Sequence, residues 1–176
     1  MTRVAVVAYP NLAASDRSWI EAVRAQHDPQ AALLAAHVTL VFPAAVAPAP
    51  LTARVRSVAA ACRPFAFDLA QVTRVRDAVT GMWHVFLVPA AGHAELRALH
   101  EQLYDAELRR HLRADVPFLP HVTVGASAEE AVCARLAAHL EGEGRVVCGT
   151  VDGLDVVEVG SAKVHSVAAV PLGTAP

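Results

Sequence analysis

The chain has 176 residues, of which 55% are hydrophobic and 18% are charged. This composition supplies enough apolar side chains for the core of one domain and excludes an intrinsically disordered chain. The formal net charge is −2 with histidine neutral. Duplex nucleic acid, DNA included, is excluded as a partner because its binding depends on many Lys and Arg contacts to phosphates. A small phosphorylated ligand or the end of an RNA strand needs only a few local donors and is compatible with this net charge.

The first half of the chain predicts alternating strands and helices. Its strands are β-branched apolar runs, and the run beginning at residue 3 and the run beginning at residue 37 each end at a proline. Ser15 is predicted to be the N-cap of the first helix, and apolar residues at steps of three and four mark the second helix. The predicted elements are strands at 3–10, 37–43, 65–76 and 83–90, the last two forming a hairpin, and helices at 15–26 and 51–62.

The second half predicts a similar succession, with the clearest helix of the chain first. The predicted elements are helices at 93–112 and 129–142 and strands at 121–127, 145–159 and 162–171. Each half places a His-Val-Thr strand next to a helix and follows it with two further strand runs. The order therefore predicts an α+β protein, residues 1–176 forming a single domain of two similar lobes.

The cysteines and the hydropathy pattern indicate the compartment. Cys62, Cys133 and Cys148 have no metal-ligand spacing and lie in apolar positions, so buried reduced thiols are expected. No window approaches the ~20 apolar residues needed to cross a bilayer, and the N-terminus lacks the pattern of a signal peptide. We expect a cytoplasmic protein that does not bind membranes.

The phrase His-Val-Thr occurs twice, 84 residues apart, each time in a predicted strand. Side chains alternate along a strand, so His37 and Thr39 share one face, and His121 and Thr123 share another, together with Gly125. The intervening residues are apolar and can pack under helices. A polar pair on a strand whose other face is apolar needs water, hydrogen-bond partners or a ligand.

Three other interpretations of these strands were weighed. A histidine on a half-exposed strand can simply bond a local acceptor, although a matched pair makes that interpretation less favoured. A zinc site needs three or four ligands, and no suitable cluster stands near either motif. A serine hydrolase is poorly supported because the chain has no G-x-S-x-G motif.

Two imidazoles that face each other suit acid–base catalysis at phosphorus. An ordinary pKa near ~6.5 lets one ring be neutral while the other is protonated. The neutral ring can take a proton from an attacking water or hydroxyl, and the imidazolium can give one to the departing oxygen. Each Thr hydroxyl can donate to a non-bridging phosphoryl oxygen. Such a site requires neither a metal nor another cofactor, and the sequence leaves open which histidine is the base.

The motifs HVTL at 37–40 and PHVTV at 120–124 resemble those of the 2H phosphoesterase superfamily, which includes the 2′-5′ RNA ligase-like proteins and the 2′,3′-cyclic phosphodiesterases. The apolar first strand that ends in Pro and the amphipathic helix before the second motif are also similar. The resemblance covers most of the chain and implies a bilobal α+β fold with two antiparallel sheets facing a central cleft, helices packed on the outer faces. It implies that His37 and His121 are the acid–base pair and that Thr39 and Thr123 hold the phosphate.

The chain departs from the family pattern after the second motif. Members that resemble RNA ligases often carry a basic residue there, whereas this chain reads HVTVGAS, which weakens the case for long RNA substrates. Candidates for further substrate contacts are Lys163 and His165, which share a strand face and can equally be a solvated edge. Other candidates with an ordinary structural interpretation are Arg74 and Arg76, a plain surface strand, and Tyr9 and Trp83, which can stack on a base or belong to the core.

The sequence therefore predicts a metal-independent phosphoesterase. Its substrate is expected to be a 2′,3′-cyclic phosphate or another 2′-linked phosphodiester, on a small nucleotide or an RNA terminus, and the protein is expected to be a monomer. The alternative is a non-catalytic binder that uses the same cleft for a phosphorylated nucleotide or RNA end. A weaker alternative is a metal-dependent hydrolase.

Overall fold

The protein was analysed as a computed structural model that describes residues 3–104, 106–113, 116–160 and 163–173. The strands are β1 (Arg3–Ala8), β2 (Asn11–Leu12), β3 (Val38–Ala44), β4 (Phe65–Leu69), β5 (Gln71–Arg76), β6 (Trp83–Val88), β7 (Val122–Ser127), β8 (Val147–Val151), β9 (Gly153–Val159) and β10 (Val164–Pro171). The helices are α1 (Ala14–His27), α2 (Pro48–Ala61), α3 (His93–Leu103) and α4 (Glu130–Glu143), with a 3₁₀ helix at Ala106–His111. The predicted α+β class is confirmed.

The first sheet has the strand order β10-β9-β1-β3, with antiparallel pairing throughout. Helix α2 packs on β9 and β10, and α3 packs on β3. Val4, Val6 and Ala8 alternate along β1 into the main core, which the helices cover. Ala5 and Val7 point the other way, into a small apolar cluster of their own. We call the side toward the helices the helix face and the other side the open face.

The second sheet has the order β5-β6-β7, is also antiparallel, and packs against α1 and α4. Its helix face contributes Val85 and Val122 to the main core. A β-bulge between the pairs Val85–Gly125 and Phe86–Thr123 changes the predicted alternation. Gly125 consequently lies on the helix face rather than beside Thr123.

A third, shorter sheet with the order β2-β8-β4 accounts for the main difference in strand layout. The predicted single strand at 65–76 is interrupted at Ala70, and its two parts pair with different strands, β4 with β8 and β5 with β6. The run at 145–159 is likewise divided at Asp152. Gly149 of β8 is the cross-strand partner of Leu12 of β2. A Cβ at Gly149 would approach the Asn11 carbonyl oxygen to 2.8 Å, closer than van der Waals contact permits.

Three local predictions were wrong. Ser15 lies inside α1, because the backbone amides of Asp16 and Arg17 donate to the Ala13 carbonyl oxygen and the helix begins after Ala13 without a side-chain cap. Helix α3 ends at Leu103, because the chain then turns into the 3₁₀ helix and does not continue to residue 112. Cys148 is exposed, because it lies on the solvent side of β8 opposite Asp68, whereas Cys133 is buried as expected.

Candidate active site

His37 and His121 stand immediately before β3 and β7 and are held in the same way. The Nδ1 atom of His37 lies 2.9 Å from the carbonyl oxygen of Ala35, and that of His121 lies 2.7 Å from the carbonyl oxygen of Leu119. A carbonyl oxygen only accepts, so Nδ1 carries the hydrogen in both rings. Each neutral imidazole therefore presents Nε2 as a free acceptor, and each protonated imidazole presents it as a donor.

The pKa values of the two imidazoles are shifted in the same direction although 84 residues separate them. Burial, followed by the charges of His37 and His84, lowers the pKa of His121 to about 4, with the Leu119 hydrogen bond opposing the shift. Burial also lowers the pKa of His37 below its ordinary value. The pKa values of both rings therefore lie below that of an ordinary surface histidine, and each ring favours its neutral form before a ligand binds.

The two predicted threonines lie on the open faces of the two large sheets. Thr39 is the cross-strand partner of Val7, and Val7 belongs to the open-face cluster of the first sheet. Thr123 is the partner of Phe86 on the second sheet. Val38 and Val122 point to the helix faces and are fully buried. Each His-x-Thr pair consequently has its apolar neighbours beneath it, as strand alternation predicts.

Aromatic rings surround both histidines, and the sequence analysis did not single out most of them. Phe86 stacks on His121 with 3.6 Å between ring centroids. His84 stacks on Phe86 with 5.8 Å between ring centroids. Tyr9 meets His37 edge to face at 6.2 Å. His84 and Phe86 alternate on β6, the predicted strand that one helix separates from the second motif. This alternation was the signal from which the two rings could have been predicted.

A buried ion network holds the loop that leads to His37. The Arg24 side chain is 1% exposed and bonds Asp28 at 3.0 Å, Glu21 at 2.9 Å and the Leu34 carbonyl oxygen at 3.0 Å. The other carboxylate oxygen of Glu21 accepts from the backbone amide of Ala36. Because a buried charge is costly unless it is fully paired, this network fixes the segment directly before His37.

Helix α3 connects the segments that carry the two motifs. Nδ1 of His100 lies 2.8 Å from the Leu40 carbonyl oxygen on β3, and the Tyr104 hydroxyl accepts from the Phe42 amide at 2.9 Å. The His100 ring also stacks on Phe118, three residues before His121, with 3.7 Å between centroids and 6° between planes. One helix thereby positions β3 and the segment that enters β7.

The remaining candidates lie away from the two threonines. His165 is exposed and is the cross-strand partner of Glu158. The other partner of Glu158 is Val4, which points to the helix face, so His165 lies on the helix face as well. Lys163 is exposed just before β10. Arg74 contacts Glu130 of α4, so it too is on a helix face. Trp83 packs against the main core, and Arg76, its cross-strand partner, is exposed.

Within residues 3–104, 106–113, 116–160 and 163–173, no group of three or more His, Cys, Asp or Glu side chains is arranged to hold a metal ion. No helix in the same part of the chain is long and apolar enough to span a bilayer.

Two similar His-x-Thr strands on an α+β fold, with the two imidazoles held by the same type of hydrogen bond, are the pattern of the two-histidine phosphoesterase class. The sequence profile of the 2′-5′ RNA ligase superfamily matches residues 10–162. The chain belongs to that superfamily.

Solved structures of similar fold come from the same class. Escherichia coli LigT complexed with 3′-AMP is 20% identical, with a TM-score of 0.65, and the match covers 98% of this chain and 99% of that one. LigT complexed with NADP+ has the same identity and TM-score, covering 98% of both chains. Kluyveromyces marxianus Usb1 with uridine monophosphate is 13% identical, with a TM-score of 0.59, covering 96% of this chain and 98% of that one. No curated protein sequence gives a significant match.

Proposed function

We propose that the protein is a metal-independent phosphoesterase that opens 2′,3′-cyclic phosphates, or cleaves related 2′-linked phosphodiesters, on nucleotides or RNA termini. The observation that supports this proposal is the matched geometry of the two motifs: His37 and His121 each direct Nδ1 to the carbonyl oxygen two residues earlier, and Thr39 and Thr123 follow on the open faces of the two large sheets. Membership of the 2′-5′ RNA ligase superfamily agrees with it. The protein would act as a single-domain cytoplasmic monomer.

In the proposed reaction the phosphate lies between the open faces of the two large sheets. One sheet contributes His37 and Thr39, and the other contributes His121 and Thr123. His121 has the pKa that is lowered to about 4, so it is neutral at most pH values and suits the role of general base. It takes a proton from water as the water oxygen bonds to phosphorus. His37, protonated when the anion binds, gives its Nε2 proton to the ribose oxygen whose bond to phosphorus breaks. The hydroxyls of Thr39 and Thr123 donate to the non-bridging oxygens as their charge increases.

The direct test is hydrolysis of 2′,3′-cyclic nucleotides in the presence of EDTA. We expect turnover by the wild type and a loss of roughly 10²- to 10⁴-fold in His37→Ala and in His121→Ala, because each removes one proton transfer. His139→Ala is the matched control, since that histidine is 69% exposed on α4 and contacts only Glu143 in the described part of the chain. Circular dichroism would verify folding of each variant.

Three results would contradict the proposal. Turnover that disappears with chelator would indicate a metal-dependent hydrolase. Binding of cyclic nucleotides without turnover would indicate the non-catalytic alternative. Turnover that survives in both histidine variants would place the chemistry elsewhere.

A further inference from the structure

Asp155 lies on the open face of the first sheet, in register with a residue of the proposed site. Val7 is the β1 partner of both Thr39 on β3 and Asp155 on β9, so the three residues form one row across the sheet. Neighbouring strands are about 4.8 Å apart, which puts the Asp155 backbone about 10 Å from that of Thr39. A carboxylate is thus built into the face that is proposed to receive an anionic phosphate.

The surroundings of Asp155 leave most of its accepting capacity unused. One carboxylate oxygen accepts from the Ser166 hydroxyl at 3.3 Å, and within the described residues it has no ion-pair partner. Burial raises the pKa of Asp155, and the hydrogen bond from Ser166 opposes the shift. An ionised carboxylate has about four acceptor sites, so a half-buried one needs further donors.

Tyr9 lies on the same open face, since it packs against the cluster of Ala5, Val7 and Val157. Its ring meets the His37 imidazole at 6.2 Å, and after burial the charge of Asp155 is the next cause that raises the pKa of the Tyr9 hydroxyl. The open face therefore presents an aromatic ring that meets His37 and, in the row of Thr39, a carboxylate acceptor. A nucleotide offers the matching groups, which are a phosphate, an apolar ring face and a polar base edge.

From this arrangement we propose that Asp155 and Ser166 form a nucleobase site that selects guanine by accepting from its N1–H and N2–H groups. The inference rests on the proposed function, since it identifies the base of that substrate. A second phosphate is disfavoured because the carboxylate would repel it. Guanine is favoured over the other bases because it alone offers two adjacent N–H donors on one edge, which a carboxylate accepts with both oxygens. Once the guanine N–H groups occupy the Asp155 oxygens, the Ser166 hydroxyl gives up its hydrogen bond to Asp155 and donates to O6 instead.

The test compares guanosine with inosine 2′,3′-cyclic phosphate, which differ only in the N2 amino group. We expect kcat/KM of the wild type to be roughly 10-fold or more higher for guanosine, the size of effect seen for bidentate base contacts. In Asp155→Asn the ratio should fall to about one. Glu158→Gln is the matched control because Glu158 lies on the same strand, is similarly half-buried, and belongs to the opposite face.

Binding separates a failure of this inference from a failure of the proposed function. Calorimetric Kd values of the wild type for guanosine and inosine 3′-monophosphate require no turnover and no variant. A guanosine preference there, without hydrolysis of any cyclic phosphate, would support the base site and reject the phosphoesterase. Equal affinities, an unchanged guanosine preference in Asp155→Asn, or an equal loss in Glu158→Gln would overturn the base site.

Discussion

The ring of Phe86 stacks on the imidazole of His121, with 3.6 Å between centroids and 20° between planes. Phe86 is also the cross-strand partner of Thr123. One aromatic side chain on β6 thus contacts the ring of one residue of the second motif and lies beside the other. This contact keeps water from one side of the His121 imidazole and restricts its rotation about the Leu119 hydrogen bond.

Replacing Phe86 is expected to alter the titration of His121. In Phe86→Leu the smaller side chain admits water, and the pKa of His121 should rise because burial is the first cause of its low value. We also expect kcat to fall roughly 10-fold through looser orientation of the ring, whereas Phe86→Tyr should retain both properties. NMR titration of His121 and steady-state kinetics measure the two effects. An unchanged pKa together with unchanged kcat would argue against a positioning role.

Removing the hydroxyls of Thr39 and Thr123 is expected to lower kcat more than it raises KM. Thr→Val preserves shape and β-branching, so the strands should remain folded. If each hydroxyl donates to charge that develops in the transition state, each single variant should lose roughly 10- to 10³-fold in kcat. Thr150→Val on the exposed side of β8 is the control. A rise in KM alone would mean that the hydroxyls bind the ground state and the transition state equally.

The pH profile of kcat/KM is expected to be bell-shaped with its maximum on the acid side of neutrality. Activity should fall below about pH 4, where His121 takes up a proton and can no longer act as base. It should also fall above the pKa of His37, which lies below its ordinary value of 6.5 because the ring is buried. Rates measured from pH 3 to pH 8 give both limits. A profile that keeps rising above pH 7 would contradict the assigned acid.

Stability should depend on pH through the same two histidines. The pKa of His121 is about 4 in the folded protein against 6.5 ordinarily, so the unfolded chain binds more protons between these values. The free energy of unfolding therefore rises with pH across this window, and this contribution, on the order of 3 kcal/mol, is lost as the pH falls. Urea unfolding of the wild type and His121→Gln at several pH values measures the difference. A difference that is constant with pH would contradict the shifted pKa.

Gly125 and Gly142 should respond in opposite ways to alanine. A Cβ at Gly125 would overlap Leu136 of α4 and approach Cβ of His27 on α1 to 3.3 Å, while one at Gly142 would meet nothing within 4 Å. We expect Gly125→Ala to destabilise the protein by about 1–3 kcal/mol through overpacking. Gly142→Ala, on the exposed surface of α4, should stabilise it by about 0.5–1 kcal/mol. Equal effects in thermal or urea unfolding would show that the helices are not closely packed on β7.

The local pattern of the sequence predicted the α+β class, most of the elements and the division of each motif strand into a polar and an apolar face. Those features depend on alternation and helical periodicity, which a few neighbouring residues determine. The same reasoning was wrong at Gly125, because a bulge on β7 depends on pairing with β6. It was incomplete at Ala70, where one predicted strand supplies two sheets, since pairing partners distant in the chain decide where a strand is interrupted.

The sequence by itself determined which residues pair in the two proposed half-sites, His37 with Thr39 and His121 with Thr123, because strand parity is a local property. Only the tertiary structure decided that both imidazoles are buried enough to lower their pKa values, that Phe86 stacks on one of them, and that Asp155 lies in the row of Thr39. These relationships join residues on separate strands through register, ring packing and burial. Strand spacing and sheet order, rather than position along the chain, set the distances on which the proposed chemistry depends.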